Sequence, residues 1–326
     1  MINYSDMNTT MPASPVLPAW ISRSIFGALV FGAPALTWAL VHHAGLGTGV
    51  AVSISVLFSG LILMSLEWRY PLHASWTPSP AMFKTDLMHC LISTPLPPLL
   101  IASFAVGALQ EIMARMAVSG SVSSFWPASW PLFLQVGFGL FLSEFGAYWI
   151  HRTCHLNRFF WRIHALHHSP RLLHTLASGR NHPFNVIAIY SARVLPLVAL
   201  GAGSEVLAAI STLNGVHGML QHVNLDIRAG VLNYLFAGPE LHHRHHSLVL
   251  VDSRTNFGNI LIVWDLIFGT FKYSPNDRMG PGVGVHELEV PEKFMNQILL
   301  PFELSRWERP ELAERGVALT RVEESA

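Results

Sequence analysis

Of 326 residues 18 are histidine, almost as many as the 20 Lys and Arg together, and most of them lie between His151 and His246. They fall into clusters. HRTCH sets His151 and His155 four residues apart, and HALHH sets His164, His167 and His168 at i, i+3 and i+4. HHRHH repeats the second spacing with His242, His245 and His246. On a helix these offsets bring side chains to one face, so two or three imidazoles can meet one metal from a turn or two of backbone. Imidazole is a neutral nitrogen donor suited to iron, zinc, copper and nickel. Eight donors exceed what one ion accepts, since a zinc takes about four. The clusters therefore imply two metals close together, held by helices from separate parts of the chain. A metal pair can activate O2 for attack on an unactivated C–H bond, a reaction no amino-acid side chain performs. Ligation by nitrogen alone sets these clusters apart from ferritin-like bundles, which use Glu and Glu-x-x-His.

The remaining histidines divide by context. His182, in NHPFN, and His222, in HGMLQH, flank the same apolar stretch as the clusters and are expected to complete the coordination. Whether His174, His217 and His243 reach metal stays open; His243 points about 100° away from its three neighbours. His42, His43, His73, His89 and His286 read as ordinary surface or core residues. Asp265 and Asn259 are expected to hydrogen-bond the second nitrogen of ligand imidazoles, which would fix their orientation. Cys154 lies between two ligands with no need to face the metal, and Trp149, Trp161 and Trp264 read as interfacial aromatics. Two cysteines, Cys90 and Cys154, exclude a disulfide framework and any four-cysteine site.

These residues need positioning elements, and the composition says what kind. The chain is 51% hydrophobic and 12% charged, against about 25% charged for soluble domains. Net charge is zero, so nothing points to nucleic acid. Four apolar windows, Ile25–Val41, Val50–Leu66, Leu91–Leu109 and Leu132–Ile150, each approach the ~20 residues that cross a bilayer; Pro95, Pro97 and Pro98 soften the third. A longer stretch, Val186–Val216, is broken by Gly201 and Gly203 and reads as a helical hairpin. The expectation is an all-α integral-membrane bundle of about four transmembrane helices plus that hairpin, with a cytoplasmic helical cap carrying the histidines. Expected divisions are a disordered start over 1–22, N-terminal spans over 23–130, a catalytic region over 131–272 and a polar tail over 273–326, helix-prone from about Pro310.

Positive charge orients the bundle. Arg152, Arg158, Arg162, Arg171 and Arg180 lie between the fourth window and the hairpin, whereas the loop from His42 to Gly49 has no Lys or Arg. A cytoplasmic N-terminus followed by four crossings puts the arginines, and every cluster, on the cytoplasmic face. The arginines beside the clusters either anchor topology or meet anionic lipid head groups.

The runs EFGAYWIHRTCHLNRFFWRIHALHHSP, RNHPFN, LQHVN, GPELHHRHHS and NFGNILIVWDLIFGTF, from Glu144 to Phe271, together resemble the fatty acid hydroxylase/sterol desaturase superfamily. YW precedes the first box, W-R-x-H leads into the second and WD-x-x-FGT-F closes the region; Glu144 stands where Asp is more usual. The resemblance implies a membrane di-iron centre (Fe2+/Fe3+) with O2 as co-substrate and a lipid substrate to be hydroxylated or desaturated. It implies His151 and His155, then His164, His167 and His168, then His242, His245 and His246 as ligands, with His182 and His222 where the family also tends to place histidines. It resembles the short bacterial branch, so a bacterial inner-membrane location is expected. No haem or flavin motif is evident, so electrons are expected from a separate electron-transfer protein. A histidine-rich metal transporter is the competing class. Transport sites usually need ionisable groups inside spans, and the first three windows contain none. A zinc hydrolase would need a carboxylate base beside the ligands, as in HExxH, and that motif is absent.

Overall fold

The computed structural model describes residues 15–109, 111–112, 125–275, 282–286 and 288–309. Among them the regular structure is helical, with only isolated β-bridges such as Phe236 with Leu261 and Ser247 with Val283. Residues 1–14 of the expected disordered start and the helix-prone tail from Pro310 lie outside the described residues.

Each apolar window becomes a helix. Helix α1 spans Ala19–His42 and α2 spans Thr48–Arg69, so α1 begins four residues before the expected boundary. The third window is part of a longer apolar run, Pro80–Leu109. It contains α3 (Pro80–Met88), a π-helical turn over His89–Ser93, α4 (Leu96–Ile101) and a second π turn over Ala102–Val106. Proline lacks the N–H that an α-helix bonds, and a π turn ahead of Pro95 lets the helix continue past it. Helix α5 spans Leu132–Leu156, and α6 follows over Arg158–His168 after one residue, Asn157. The hairpin is α7 (Pro183–Leu200) and α8 (Ser204–His222). Gly201 closes α7 with φ of 89°, a left-handed backbone that glycine adopts without steric cost. Shorter helices follow: α9 (Pro239–His245), α10 (Leu250–Ser253), α11 (Val263–Phe268) and α12 (Phe294–Trp307). The run Pro80–Leu109 and helices α1, α2, α5 and α7 are each long and apolar enough to cross a membrane, and the chain is an integral-membrane protein.

The core between α1, α2, α5, α7 and α8 is apolar, with Phe26, Leu63, Leu197, Val216 and Leu220 fully enclosed. Helices draw close where side chains are small. Thr37 on α1 joins Ser55 on α2 and Thr212 on α8 at 2.9 Å each, so three polar groups inside the bundle satisfy one another. Helix α12 is the main departure from expectation. It lies inside the supposed polar tail, yet Leu300 and Leu304 are buried against Ala165 and Leu166 of α6.

Two carboxylates at the ends of spans tie the bundle to the loop before α7. Glu67 of α2 accepts hydrogen bonds from the Thr175 hydroxyl at 2.7 Å and from the Asn224 backbone N–H at 2.8 Å. Asp86 of α3 meets His174 at 2.7 Å and Arg180 at 2.6 Å. The expectation that the first three spans hold no ionisable group is corrected here: the helices reach beyond the apolar windows and include these carboxylates. Their occupied partners make them anchors for residues 174–180, and His174 is part of that anchor.

Candidate metal centre

Box one sits on the last turns of α5. Box two fills α6, which starts at once because the Asn157 side chain accepts from the Phe159 and Phe160 N–H groups at 2.9 and 3.4 Å. His222 ends α8. Box three lies on α9 and its C-cap, following Pro239 at the first turn, where a missing N–H costs nothing.

Together these elements place nine imidazoles in two groups. His151, His155, His164, His168 and His245 form one; His167, His222, His242 and His246 form the other. Within each group the ligand nitrogens lie within 4.8 Å of one another. The groups adjoin, with the His168 and His246 rings stacked at 4.2 Å between centroids. The triads are split: the i, i+4 pairs His164/His168 and His242/His246 each stay together, while His167 and His245 cross to the opposite group. Neither group contains a carboxylate.

Hydrogen bonding settles which nitrogen faces inward. His151 Nδ1 donates to the Phe257 carbonyl at 2.7 Å and His245 Nδ1 to the Thr255 carbonyl at 2.8 Å. His222 Nδ1 donates to the Gly218 carbonyl at 2.8 Å, and His164 Nδ1 contacts Asn185 Oδ1 at 3.2 Å. A carbonyl only accepts, so in neutral rings the proton is on Nδ1 and the Nε2 lone pair is free. Yet His245 Nε2 faces His151 Nε2 at 2.9 Å, lone pair against lone pair. Such a pair repels unless a cation lies between the two atoms. His164 Nε2 faces His168 Nε2 at 3.1 Å and His242 Nε2 faces His246 Nε2 at 3.1 Å. His155 Nε2 is buried with no hydrogen-bond partner. This donor set fits metal ions.

Burial drives the imidazoles of His164, His167, His168, His242, His245 and His246 well below the ordinary histidine range, and neighbouring rings lower them further. They are neutral at pH 7, the form a metal requires.

One loop supports the arrangement from behind. The carbonyls that orient His245 and His151 belong to Thr255 and Phe257. Asn256 between them takes φ of 56°, and its side chain donates to the Leu241 and Lys272 carbonyls. Asp265 accepts from the Phe257 and Gly258 N–H groups at 2.8 and 2.7 Å and from the Thr270 hydroxyl at 2.6 Å. It therefore orients His151 through the backbone rather than by touching the ring, and desolvation raises its pKa to about 6. Further along, Glu144 of α5 accepts from the Ile260 N–H at 2.7 Å and is paired with Arg193 of α7 at 2.7 Å. A charged pair inside two apolar helices is the signal that these residues have a task; in the sequence Glu144 stands out only as a departure from the family's Asp, and nothing there links it to Arg193.

Two expected site residues lie elsewhere. His182 is in neither group. Its Nε2 donates to the Ile298 carbonyl of α12 at 3.0 Å, and its Nδ1 accepts from the Phe184 N–H at 3.2 Å, so it caps α7 and pins α12. Asn259 does not reach a ligand ring; its side chain lies against Asn214 and Arg193. His217 packs edge-on to Phe26, and His243 edge-on to Trp76, both outside the two groups. Cys154 is buried outside them as well. Among the arginines, Arg152 lies over Trp149 and donates to the Tyr148 hydroxyl, Arg158 meets Glu308, and Arg162 donates to the Pro301 carbonyl.

The family model described as fatty acid hydroxylase matches residues 136–270. The chain is 38% identical over 180 residues to an ornithine lipid hydroxylase of Rhizobium tropici, covering 55% of this chain and 54% of that protein. It is 30% identical over 142 residues to an alkylglycerol monooxygenase of Homo sapiens, covering 43% of this chain and 31% of the relative. It is 26% identical over 178 residues to methylsterol monooxygenase 2-2 of Arabidopsis thaliana, covering 54% of this chain and 63% of the relative. The chain thus spans about half the length of the first relative and about a third of the second. No solved structure matches it significantly. The matched segment runs from within α5 through α11 and takes in all nine grouped histidines and the loop that orients them, and these are the residues by which the chain is similar to the fatty acid hydroxylase family.

Proposed function

We propose that this protein is an O2-dependent hydroxylase of a membrane lipid, with two iron ions held by the nine grouped imidazoles. The observation that carries the reading is the division of those imidazoles into adjoining groups of five and four, with unprotonated nitrogens face to face. His151, His155, His164, His168 and His245 would hold one iron, and His167, His222, His242 and His246 the other. Iron bound there supplies the activation of O2 that a C–H bond requires.

The protein's own contribution is positional. Carbonyls of Phe257, Thr255 and Gly218 fix three rings by their Nδ1 protons. Asp265 and Glu144 hold the loop that carries two of those carbonyls and its continuation. Enclosure of the rings keeps water from them, which protects a reactive centre from side reactions. The lipid enters laterally from the bilayer between apolar helices, and a separate protein delivers electrons. The centre faces the cytoplasm at the inner membrane, in keeping with the arginines around it.

The names of the relatives support a lipid as substrate: ornithine lipid, alkylglycerol and methylsterol. Ornithine lipid is the first of these to test, because that relative shares the highest identity of the three. These names speak of hydroxylation and monooxygenation rather than desaturation. Glu67 and Asp86 are engaged by Thr175, Asn224, His174 and Arg180, which favours the oxygenase reading over a histidine-rich transporter.

The test is the purified, iron-loaded protein in liposomes of bacterial lipid that include ornithine lipid, supplied with a chemical reductant and isotopically heavy O2. The expected product is a lipid carrying one heavy oxygen, with two irons retained per chain. Metal passing into sealed vesicles with every lipid unchanged would overturn the proposal.

A further inference from the structure

Helix α12 has two unlike faces. Gln297, Leu300 and Leu304 are buried, the two leucines against α6. On the opposite side Met295, Leu299 and Phe302 are 60%, 44% and 67% exposed. Their spacing, i, i+4, i+7, makes one apolar stripe along the outside of the helix. A stripe of this kind facing water on an integral-membrane protein calls for an occupant.

The position of α12 identifies it. The helix lies across the box-side ends of the membrane helices. At its start Thr85 of α3 donates to the Glu292 carbonyl at 2.8 Å, and His89 meets Gln297 at 2.9 Å. In its middle His182, the cap of α7, holds the Ile298 carbonyl. Phe302 packs edge-on to Phe184 of the first turn of α7, at 6.3 Å between centroids, and Phe184 is itself about half exposed. The outward stripe is therefore continuous with the lipid-facing surface of α7, at the level where α3 and α7 leave the hydrocarbon. Basic residues stand near both ends, Lys293 before the helix and Arg306 in its last turn, as on helices that lie in a head-group layer.

We propose that α12 is an interfacial helix whose Met295–Leu299–Phe302 face is embedded in the same bilayer that α7 crosses. A helix in that position keeps its Leu300–Leu304 face on α6, so the roof over box two is seated in lipid rather than floating in water. The proposal depends only on the chain being an integral-membrane protein and stands whichever metal or substrate the centre takes.

The test uses the full chain in nanodiscs of phosphatidylcholine and phosphatidylglycerol. Nitroxide labels are placed through Leu299→Cys, Phe302→Cys and, as a water-facing control, Glu289→Cys; the unsubstituted protein reports labelling of Cys90 and Cys154. Collision with lipid-soluble oxygen relative to a water-soluble nickel chelate should be severalfold higher at the first two sites than at the control. Unmodified protein exposed to a lipid-borne diazirine should also carry label on the peptide containing Met295, Leu299 and Phe302. Labels at residues 299 and 302 as accessible to nickel as the control, together with an unlabelled α12 peptide beside labelled α1, would overturn it.

Discussion

At the scale of single residues the contrast between His155 and His182 is informative, because both are histidines near the same boundary. His155 presents a buried Nε2 with no protein partner inside the group of five. His182 spends both nitrogens on protein, Nε2–H to Ile298 and Nδ1 from the Phe184 N–H. His155→Ala should weaken the hold of the group of five on its metal, so that a chelator strips one ion per chain severalfold faster than from the unsubstituted protein, measured by elemental analysis of purified protein. His182→Gln should leave two ions in place. A second consequence concerns pH. Burial holds the His182 imidazole below its ordinary value, and the bonds it makes need the neutral ring, since a protonated Nδ1 would face the Phe184 N–H. A folded pKa below the unfolded one gives stability that is present above about pH 6.5 and is lost as pH falls. Hydrogen exchange in α12, corrected for its intrinsic pH dependence, should therefore quicken between pH 7.5 and 5 in the unsubstituted protein. In His182→Gln that pH dependence should shrink, the remainder coming from His89, which meets Gln297 of the same helix. The eight box histidines were legible because their spacing is itself a geometric statement. His182 and Asn259 were not, because proximity to a box along the chain says nothing of which way a side chain is turned by the loop that bears it.

At the scale of elements, the windows of apolar sequence marked the long helices well, since hydrocarbon-spanning length and lack of charge are local properties. What could not be seen were the crossings between them. Helices α5 and α7 meet at Gly146, where an added Cβ would lie 2.5 Å from the Ala192 carbonyl oxygen. Backbone cannot yield as a flexible side chain can, so the helices would have to part, at a cost of about 1–3 kcal/mol. Glu144 and Arg193 bridge the same two helices, so the loop they hold would shift too. Gly146→Ala should lower the unfolding temperature in detergent. Gly137→Ala, on the same helix with no neighbour within 4 Å of its added Cβ, should leave it unchanged or raise it, since Ala favours helix over Gly by about 1 kcal/mol. Equal behaviour of the two variants would mean that α5 and α7 do not approach so closely. Helix α12 was missed for a related reason. Its charged neighbours hide a short stripe whose meaning appears only when α6 and α7 are seen beneath it.

At the scale of the whole molecule, the order of helices decides where the centre faces. Helix α1 starts at the histidine end, where Ser22 bonds the Asp226 and Arg228 backbone, and finishes at the far end, where His42 meets Glu205 at 2.9 Å. Helix α2 returns, bringing Glu67 to Thr175 and Asn224. The run Pro80–Leu109 begins at the histidine end again, with Asp86 on His174. Helix α5 comes back carrying box one, α7 departs from His182, and α8 begins beside His42 and ends at His222. Six passes in alternation leave the start of α1 and all three boxes on one side. Two of the far-end turns, 43–47 and 201–203, carry no Lys or Arg and the sequence between Leu109 and Leu132 carries one, Arg115, whereas the histidine end holds Arg152, Arg158, Arg162, Arg171 and Arg180. The positive-inside rule is what supports the proposed cytoplasmic orientation of that end. Alkaline phosphatase inserted at Gly45 or Gly203 should then be active in bacteria, because it folds only outside the inner membrane, and a fluorescent protein appended to the full chain should glow. The reverse pattern would place the centre outside the cytoplasm, away from soluble cytoplasmic reductants, and would require an electron donor resident in or beyond the membrane.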